Sequence, residues 1–223
     1  DKPYISAESA HLPVNYGTLE EVLAAKPDLV LAGAVSTPTT RVFLQRSAIA
    51  RVDVPMASNF GEIRRVTRLI GHAVGEAEKA EALIAKMDAT LADLAANPLP
   101  RHIVVAGWGS GGDVPGKDTL FNAILTAAGG VNVADTMRET RFGAFDFEQL
   151  LAVRPDAIAF PDVAADQPGL RREQIQSRLI RKLYAGRQIA YSETLYSCGL
   201  PQSADAAKDL HAALAAIASG PPR

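Results

Sequence analysis

Four kinds of residue in this chain are of types that do chemistry: a glycine-rich loop, four histidines, one cysteine and a pair of arginines. The loop reads GWGSGGDVPGKDT. Gly107, Gly109 and Gly112 satisfy GxGxxG, while Gly111, Gly116 and Lys117 satisfy GxxxxGK, two patterns whose backbone N–H groups can cradle phosphate. Physical detail argues against both. The third glycine of a dinucleotide site opens the helix directly, but Asp113, Val114 and Pro115 precede a helix that should begin near Asp118. A P-loop needs a hydroxyl after its lysine to hold magnesium, and Asp118 would put a phosphate-repelling carboxylate there. Asp118 reads more simply as a helix N-cap. What is left is a flexible loop at the carboxyl end of a parallel strand, where open α/β sheets hold their ligands.

The other groups give no catalytic set. His11, His72, His102 and His211 lack metal-ligand spacing, and no cysteine pair supports them. Cys198, the single cysteine, sits in YSCGLP with no histidine nearby. No GxSxG and no paired carboxylates appear. The chain therefore reads as a non-enzyme with no cofactor and no metal. Binding groups are easier to find. Trp108, the only tryptophan, is flanked by glycines at a strand's carboxyl end, a place for packing or for a ligand face. Arg138 and Arg141 flank Glu139, either as a solvated loop or as an anion clamp.

Bulk properties narrow the class. The chain has 223 residues, 48% hydrophobic and 22% charged, enough to bury one large core or two modest ones. A formal net charge of -2, with no dense run of Lys and Arg, gives no footprint for nucleic acid. No apolar run approaches the roughly 20 residues that cross a bilayer, and DKPYISAESA lacks the pattern of a signal peptide.

The elements that must position these groups are announced by a repeat. LEEVLAAKPDLVLAG, starting at Leu19, returns as FEQLLAVRPDAIAFP, starting at Phe147, an offset of 128 that aligns Glu20 with Glu148 and Asp28 with Asp156. Each copy shows helical spacing, a basic residue, Pro-Asp and an aliphatic run, which predicts helix, stop, strand. Proline disfavours helix in the residue before it, so Lys26 and Arg154 should end their helices. Strands apolar on both faces belong in parallel sheets covered by helices. Between the copies no Gly or Pro interrupts Glu76 to Ala96, which predicts a strut roughly 30 Å long. The spacing thus divides the chain into a first lobe over 1–75, a connecting helix over 76–97 and a second α/β lobe over 98–223. The second lobe should run strand 102–107, helix 118–128, helix 146–153, strand 156–160, helix 171–183, strand 187–191 and helix 203–218. The first lobe has only DLVLAG and RVDVP as firm strands, a thin core by itself.

In the order of these segments, over nearly all of its length, the chain resembles the substrate-binding proteins of bacterial ABC importers for ferric siderophores, haem and cobalamin. LEEVLAAKPDLVLAG is similar to the family's first-lobe signature, GWGSGGDVPGKDTLFNAILTAAGGVNVAD to its second-lobe opening and FEQLLAVRPDAIAF to its second Pro-Asp motif. YSETLYSCGLPQSADAAKDL is similar to a subgroup with Cys-Gly before the last helix. The resemblance implies an α/β fold of two lobes with helix-covered parallel sheets joined by one long helix. It also implies a monomeric, periplasmic or lipid-anchored protein that takes a metal chelate into the inter-lobe cleft. An ABC permease dimer with its cytoplasmic ATPase would be the partner, docked through Glu20 and Glu148. The family carries roughly one more βαβ segment ahead of the equivalent of Asp1. The cleft residues this implies are Val35, Ser36, Thr37, Trp108, Gly109, Ser110, Arg138, Arg141, Phe142, Asp162, Tyr196 and Cys198. Arginines suit an anionic siderophore and aromatics a flat corrin or haem, so the cargo stays open among these. Two other readings also stay open: a nucleotide-binding enzyme using the loop over 107–117, and a sensor or scaffold with no transporter.

Overall fold

The computed structural model describes residues 11–33, 38–47, 49–108, 113–136, 142–144, 147–162 and 178–220. It opens with α1 (Leu19–Ala25), started by a reciprocal capping box. The Thr18 hydroxyl accepts from the Glu21 N–H at 3.4 Å, and the Glu21 carboxylate accepts from the N–H groups of Thr18 at 3.0 Å and Tyr16 at 3.1 Å. Those bonds from Thr18 hold the Glu21 carboxyl below its ordinary range, so the cap is strongest above that range and weakens as pH falls through the lowered value. Lys26 ends the helix in the left-handed conformation, φ 45° and ψ 55°, and the chain turns through Pro27 into β1 (Leu29–Gly33). α2 (Pro38–Arg46) then leads to β2 (Ala50–Val54), which pairs parallel with β1, Leu29 opposite Ala50 and Gly33 opposite Val54.

α3 (Phe60–Ala73), capped by the Asn59 side chain, and the 20-residue α4 (Ala77–Ala96) form a helical hairpin. The uninterrupted helix read from the sequence is present to within a residue. Arg64 bonds Asp88 at 2.8 Å through Nε, and Arg68 bonds Glu81 at 2.6 Å, which sets the register of the two helices. The buried face of α4, through Met87 and Leu94, joins Ile63 and Val66 of α3 in one core with the next sheet.

That sheet is built from β3 (Val104–Gly107), β5 (Val131–Asn132), β7 (Ala157–Pro161) and β8 (Gln188–Tyr191) in the order β5-β3-β7-β8, all parallel. β4 (Asp113–Pro115) pairs antiparallel with β6 (Phe142–Ala144) beside it. The helices are α5 (Leu120–Ala127), α6 (Phe147–Val153), α7 (Arg178–Leu183), α8 (Glu193–Ser197) and α9 (Ser203–Ala218). Strand parity sorts the faces. Val105, Ala157, Ala159 and Ile189 face the core with α4, α5 and α9, while Ala106 and Ile158 face a second core with Leu150 of α6 and Ile180 of α7.

Two expectations change. Asp118 is not the cap of α5: the Thr119 hydroxyl accepts from the Asn122 N–H and donates to the Gly116 carbonyl at 2.7 Å, because Thr119 holds the extended conformation that a cap needs. The stretch after Trp108 is not wholly loop, since Asp113–Pro115 forms β4. Lys26 and Arg154 end their helices as expected, both in the left-handed region, with φ 45° and 50°. Residues 171–177 of the helix expected over 171–183 lie outside the described residues.

A left-handed lysine costs roughly 1–2 kcal/mol that glycine avoids, offset in part by glycine's freer unfolded chain. Lys26→Gly should therefore raise stability by about 0.5 kcal/mol, seen as a higher urea midpoint at unchanged m value; a lower midpoint would show that the lysine side chain stabilises the turn.

Candidate functional site

The repeat keeps its register in three dimensions. The limits of α1 and α6, the left-handed Lys26 and Arg154, and the limits of β1 and β7 are all related by the same offset of 128. Val22 and its counterpart Leu150 both point inward, and Glu20 and Glu148 both stand exposed as the second residue of their helices. A helix that precedes a strand in this way begins beside that strand's carboxyl end. Both glutamates therefore lie on the carboxyl rim of their own sheet, the side on which open α/β sheets bind ligands.

On the second sheet that rim is formed by the ends of β3, β7 and β8. Trp108 extends β3 by one residue, its N–H donating to the Ala159 carbonyl at 2.7 Å. Strand alternation then turns the indole toward α6 and α7, where it is 3% exposed beside Leu150, Ile158, Ile180 and Tyr184. Of the two roles open to Trp108, packing is the one this geometry realises. Gly107 faces the other way, and a Cβ there would lie 2.7 Å from the Phe121 ring, so only glycine admits that ring so close. Phe121, Tyr191 and Tyr196 form an aromatic cluster beneath it, Tyr191 and Tyr196 with ring centroids 4.2 Å apart.

The remaining site residues fall as follows. Asp162 stands exposed just after β7, donates its N–H to the Tyr191 carbonyl at 2.9 Å and accepts from the Glu193 N–H at 3.4 Å, so it ties the start of α8 to the rim. Tyr196 lies within α8, 8% exposed, behind the rim rather than on it. Burial, with Tyr191 and Asp209 adding, pushes its hydroxyl well above the usual phenol range. Cys198 is exposed at the end of α8. Phe142 lies in β6, its backbone opposite Pro115. Val35, Ser36, Thr37, Gly109, Ser110, Arg138 and Arg141 lie outside the described residues.

Asn132, which the sequence reading passed over, holds the glycine-rich segment in place. Its buried amide donates to the Pro115 carbonyl at 2.9 Å and to Asn122 Oδ1 at 3.0 Å, and its Oδ1 accepts from the Ala134 N–H. The available signal was a polar residue inside the apolar run GGVNVAD, which implies a satisfied buried amide. Gly199 was also missed. A Cβ there would lie 2.6 Å from that of Ala57, so the turn after Cys198 seats directly on the segment leading from β2 to α3. With β4 between the glycines and α5, the segment does not run straight from strand to helix as a phosphate cradle does. Among the described residues no group of His, Cys, Asp and Glu could hold a metal, and no helix is long and apolar enough to cross a membrane.

The model of the periplasmic binding protein family matches residues 10–188. The chain belongs to that family. A Bacillus subtilis (strain 168) protein, the uncharacterized ABC transporter substrate-binding lipoprotein YvrC, is 26% identical over 170 residues, 72% of this chain and 52% of that protein. The chain thus spans about half the length of this curated relative. Among solved structures, the periplasmic heme-binding protein RhuT from Roseiflexus sp. RS-1 superposes with a TM-score of 0.75 at 22% identity, covering 90% of this chain and 80% of that one. The periplasmic heme-binding protein BhuT in complex with two hemes gives 0.76 at 21% identity, with coverage of 97% and 87%. The periplasmic vitamin B12 binding protein BtuF of Vibrio cholerae gives 0.68 at 18% identity, with coverage of 92% and 82%. The periplasmic binding protein fold is thereby shown, as the resemblance implied. The nucleotide-enzyme alternative gains no support, since the matched family and these neighbours are binding proteins.

An indole so enclosed is shielded from an anionic quencher. Iodide should quench Trp108 emission only weakly, with a blue-shifted maximum; a red-shifted emission with strong quenching would return the side chain to the rim.

Proposed function

We propose that this periplasmic binding protein is the substrate-binding component of an ABC importer, capturing a metal chelate between two lobes and delivering it to a membrane permease. The observation that carries the reading is the duplicated unit, which sets an exposed glutamate at the same place on two separate sheets. A transporter made of two related halves offers two equivalent docking positions, and a carrier meets them with two equivalent acidic points. Each glutamate alone is explained by the favourable field at a helix start. Their common register is what the docking role adds.

In this reading the first lobe runs over 1–75, α4 with its flanks over 76–97 is the strut, and the second lobe runs over 98–223. The cargo rests between the segment holding Val35, Ser36 and Thr37 and the rim holding Gly109, Ser110, Arg138, Arg141, Phe142 and Asp162. Trp108 and Tyr196 act from behind, stiffening that wall, and Cys198 stands at its end. The protein works as a monomer outside the cytoplasm, free in the periplasm or held by lipid, with the permease dimer and its ATPase as partners. Neighbours of this fold named for heme, vitamin B12 and Fe3+-hydroxamate support a chelate as the cargo class.

Two experiments test the proposal. Charge reversal at both Glu20 and Glu148 should abolish uptake in cells while leaving chelate affinity within about twofold; unchanged uptake would refute the docking role. Calorimetric titration with haem, cobalamin and a ferric hydroxamate should show binding of one of them, and the radius of gyration should change little because α4 joins both lobes. Binding of none would refute the cargo class, and a large compaction would refute the rigid strut.

A further inference from the structure

Beside the edge strand β8, on the flank of the second sheet, lies a cavity of about 150 Å3 that the carrier reading does not use. Ile189 of β8, Leu195 of α8 and Leu210 and Ala213 of α9 give it hydrocarbon walls, and the stacked Tyr191 and Tyr196 close one side. Its one formal charge is Asp209, exposed on α9 and in no ion pair among the described residues. A space of this size holds about one benzene-sized molecule.

The second observation is Tyr196. The side chain is 8% exposed, yet its hydroxyl makes no hydrogen bond among the described residues. No fully enclosed side-chain oxygen or nitrogen lacks a partner there, so this hydroxyl is reached by solvent, and Tyr196 is one of the residues that line the cavity. Tyr196 and Asp209 line the same cavity, and burial keeps the phenol protonated. A hydroxyl with no partner among the described residues is available to accept a hydrogen bond from a ligand's polar group.

We propose that this cavity binds a ring-sized primary ammonium compound, its hydrocarbon body against the aliphatic walls and its cationic head between the Tyr196 hydroxyl and the Asp209 carboxylate. The chemistry selects the sign of charge. A carboxylate and two tyrosine faces attract a cation, and the same groups repel an anion of equal shape.

The test uses the full chain, amide NMR spectra and two ligands of one frame and opposite charge, 2-phenylethylammonium and phenylacetate. The ammonium should bind with a dissociation constant of about a millimolar or tighter, moving the amides of Ala190, Ser192 and Ala213, and phenylacetate should bind at least about tenfold more weakly. Asp209→Asn, a change at an exposed position, should weaken the ammonium about tenfold and leave phenylacetate no weaker. Tyr196→Phe should weaken the ammonium by about threefold, whether or not stability also changes. No ammonium binding at about 10 mM, equal binding of both ligands, an Asp209→Asn variant that binds the ammonium as before, or shifts centred on Trp108 and Asp162 would each overturn the proposal.

Discussion

Met87 and Leu94, with Leu91 partly buried between them, lie along one stripe of α4 and enter the same core as Ile63 and Val66 of α3 on one side and Leu210 and Leu214 of α9 on the other. Burying side chains of this size stabilises by about 1.5–3 kcal/mol each, far more than the charged contacts outside the stripe supply. Arg64–Asp88 and Arg68–Glu81 are half-exposed pairs, so solvent weakens them and they act mainly on register. The Arg68 guanidinium does hold the Glu81 carboxyl below its ordinary range. That contribution is present at neutral pH and fades as the solution is acidified through the lowered value. The stripe itself carries no titratable group.

From this hairpin the rim follows by a short chain of contacts. The β2-to-α3 segment carries Ala57, and Gly199 seats against it with no room for a side chain. Gly199 in turn follows α8, whose start is tied to Asp162 at the end of β7. Ser203 completes the turn by donating to the Leu195 carbonyl at 2.9 Å. The first strand pair, the hairpin and the carboxyl rim of the second sheet thus meet within a few residues of one glycine. A cargo held at that rim would lie against a surface whose parts have little freedom to move separately.

Much of this was legible in the sequence, and what was not has identifiable physical causes. The long helix α4 was readable because nothing between Glu76 and Ala96 breaks a helix, and the strand ending at Gly107 because aliphatic residues fill both faces of a covered sheet. The helix stops at Lys26 and Arg154 were announced by proline, but their left-handed geometry was not. Local sterics before proline favour extended backbone, and the tight reversal from helix to strand overrode that preference. Trp108 looked like loop because glycines flank it. Strand alternation runs one residue further than composition suggests, and it sends the indole inward. Thr119 displaced Asp118 as the cap because helix starts are decided by backbone conformation, which two adjacent capping residues leave undetermined. The partners of Asn132 and Gly199 are distant in sequence, and one chain read alone contains no signal that names them.

The two copies of the repeat also show how much of a position can be set locally. Asp156 accepts from the Val104 N–H at 2.9 Å and returns its own N–H to the Val104 carbonyl at 2.7 Å, pinning β7 to β3. Asp28, its counterpart, is exposed, with no hydrogen bond to its carboxylate among the described residues. Leu31 is 42% exposed where its counterpart Ala159 is fully buried. The surroundings of the two units therefore differ, yet helix, reversal and strand keep their limits to the residue. What they share is internal: a seven-residue helix, a left-handed residue, then Pro-Asp. A geometry fixed at this range does not depend on how completely each sheet is covered. It places Glu20 and Glu148 alike relative to their own strands, so their spacing is left to the packing between the two sheets, through α3, α4 and the contact of Ala57 with Gly199.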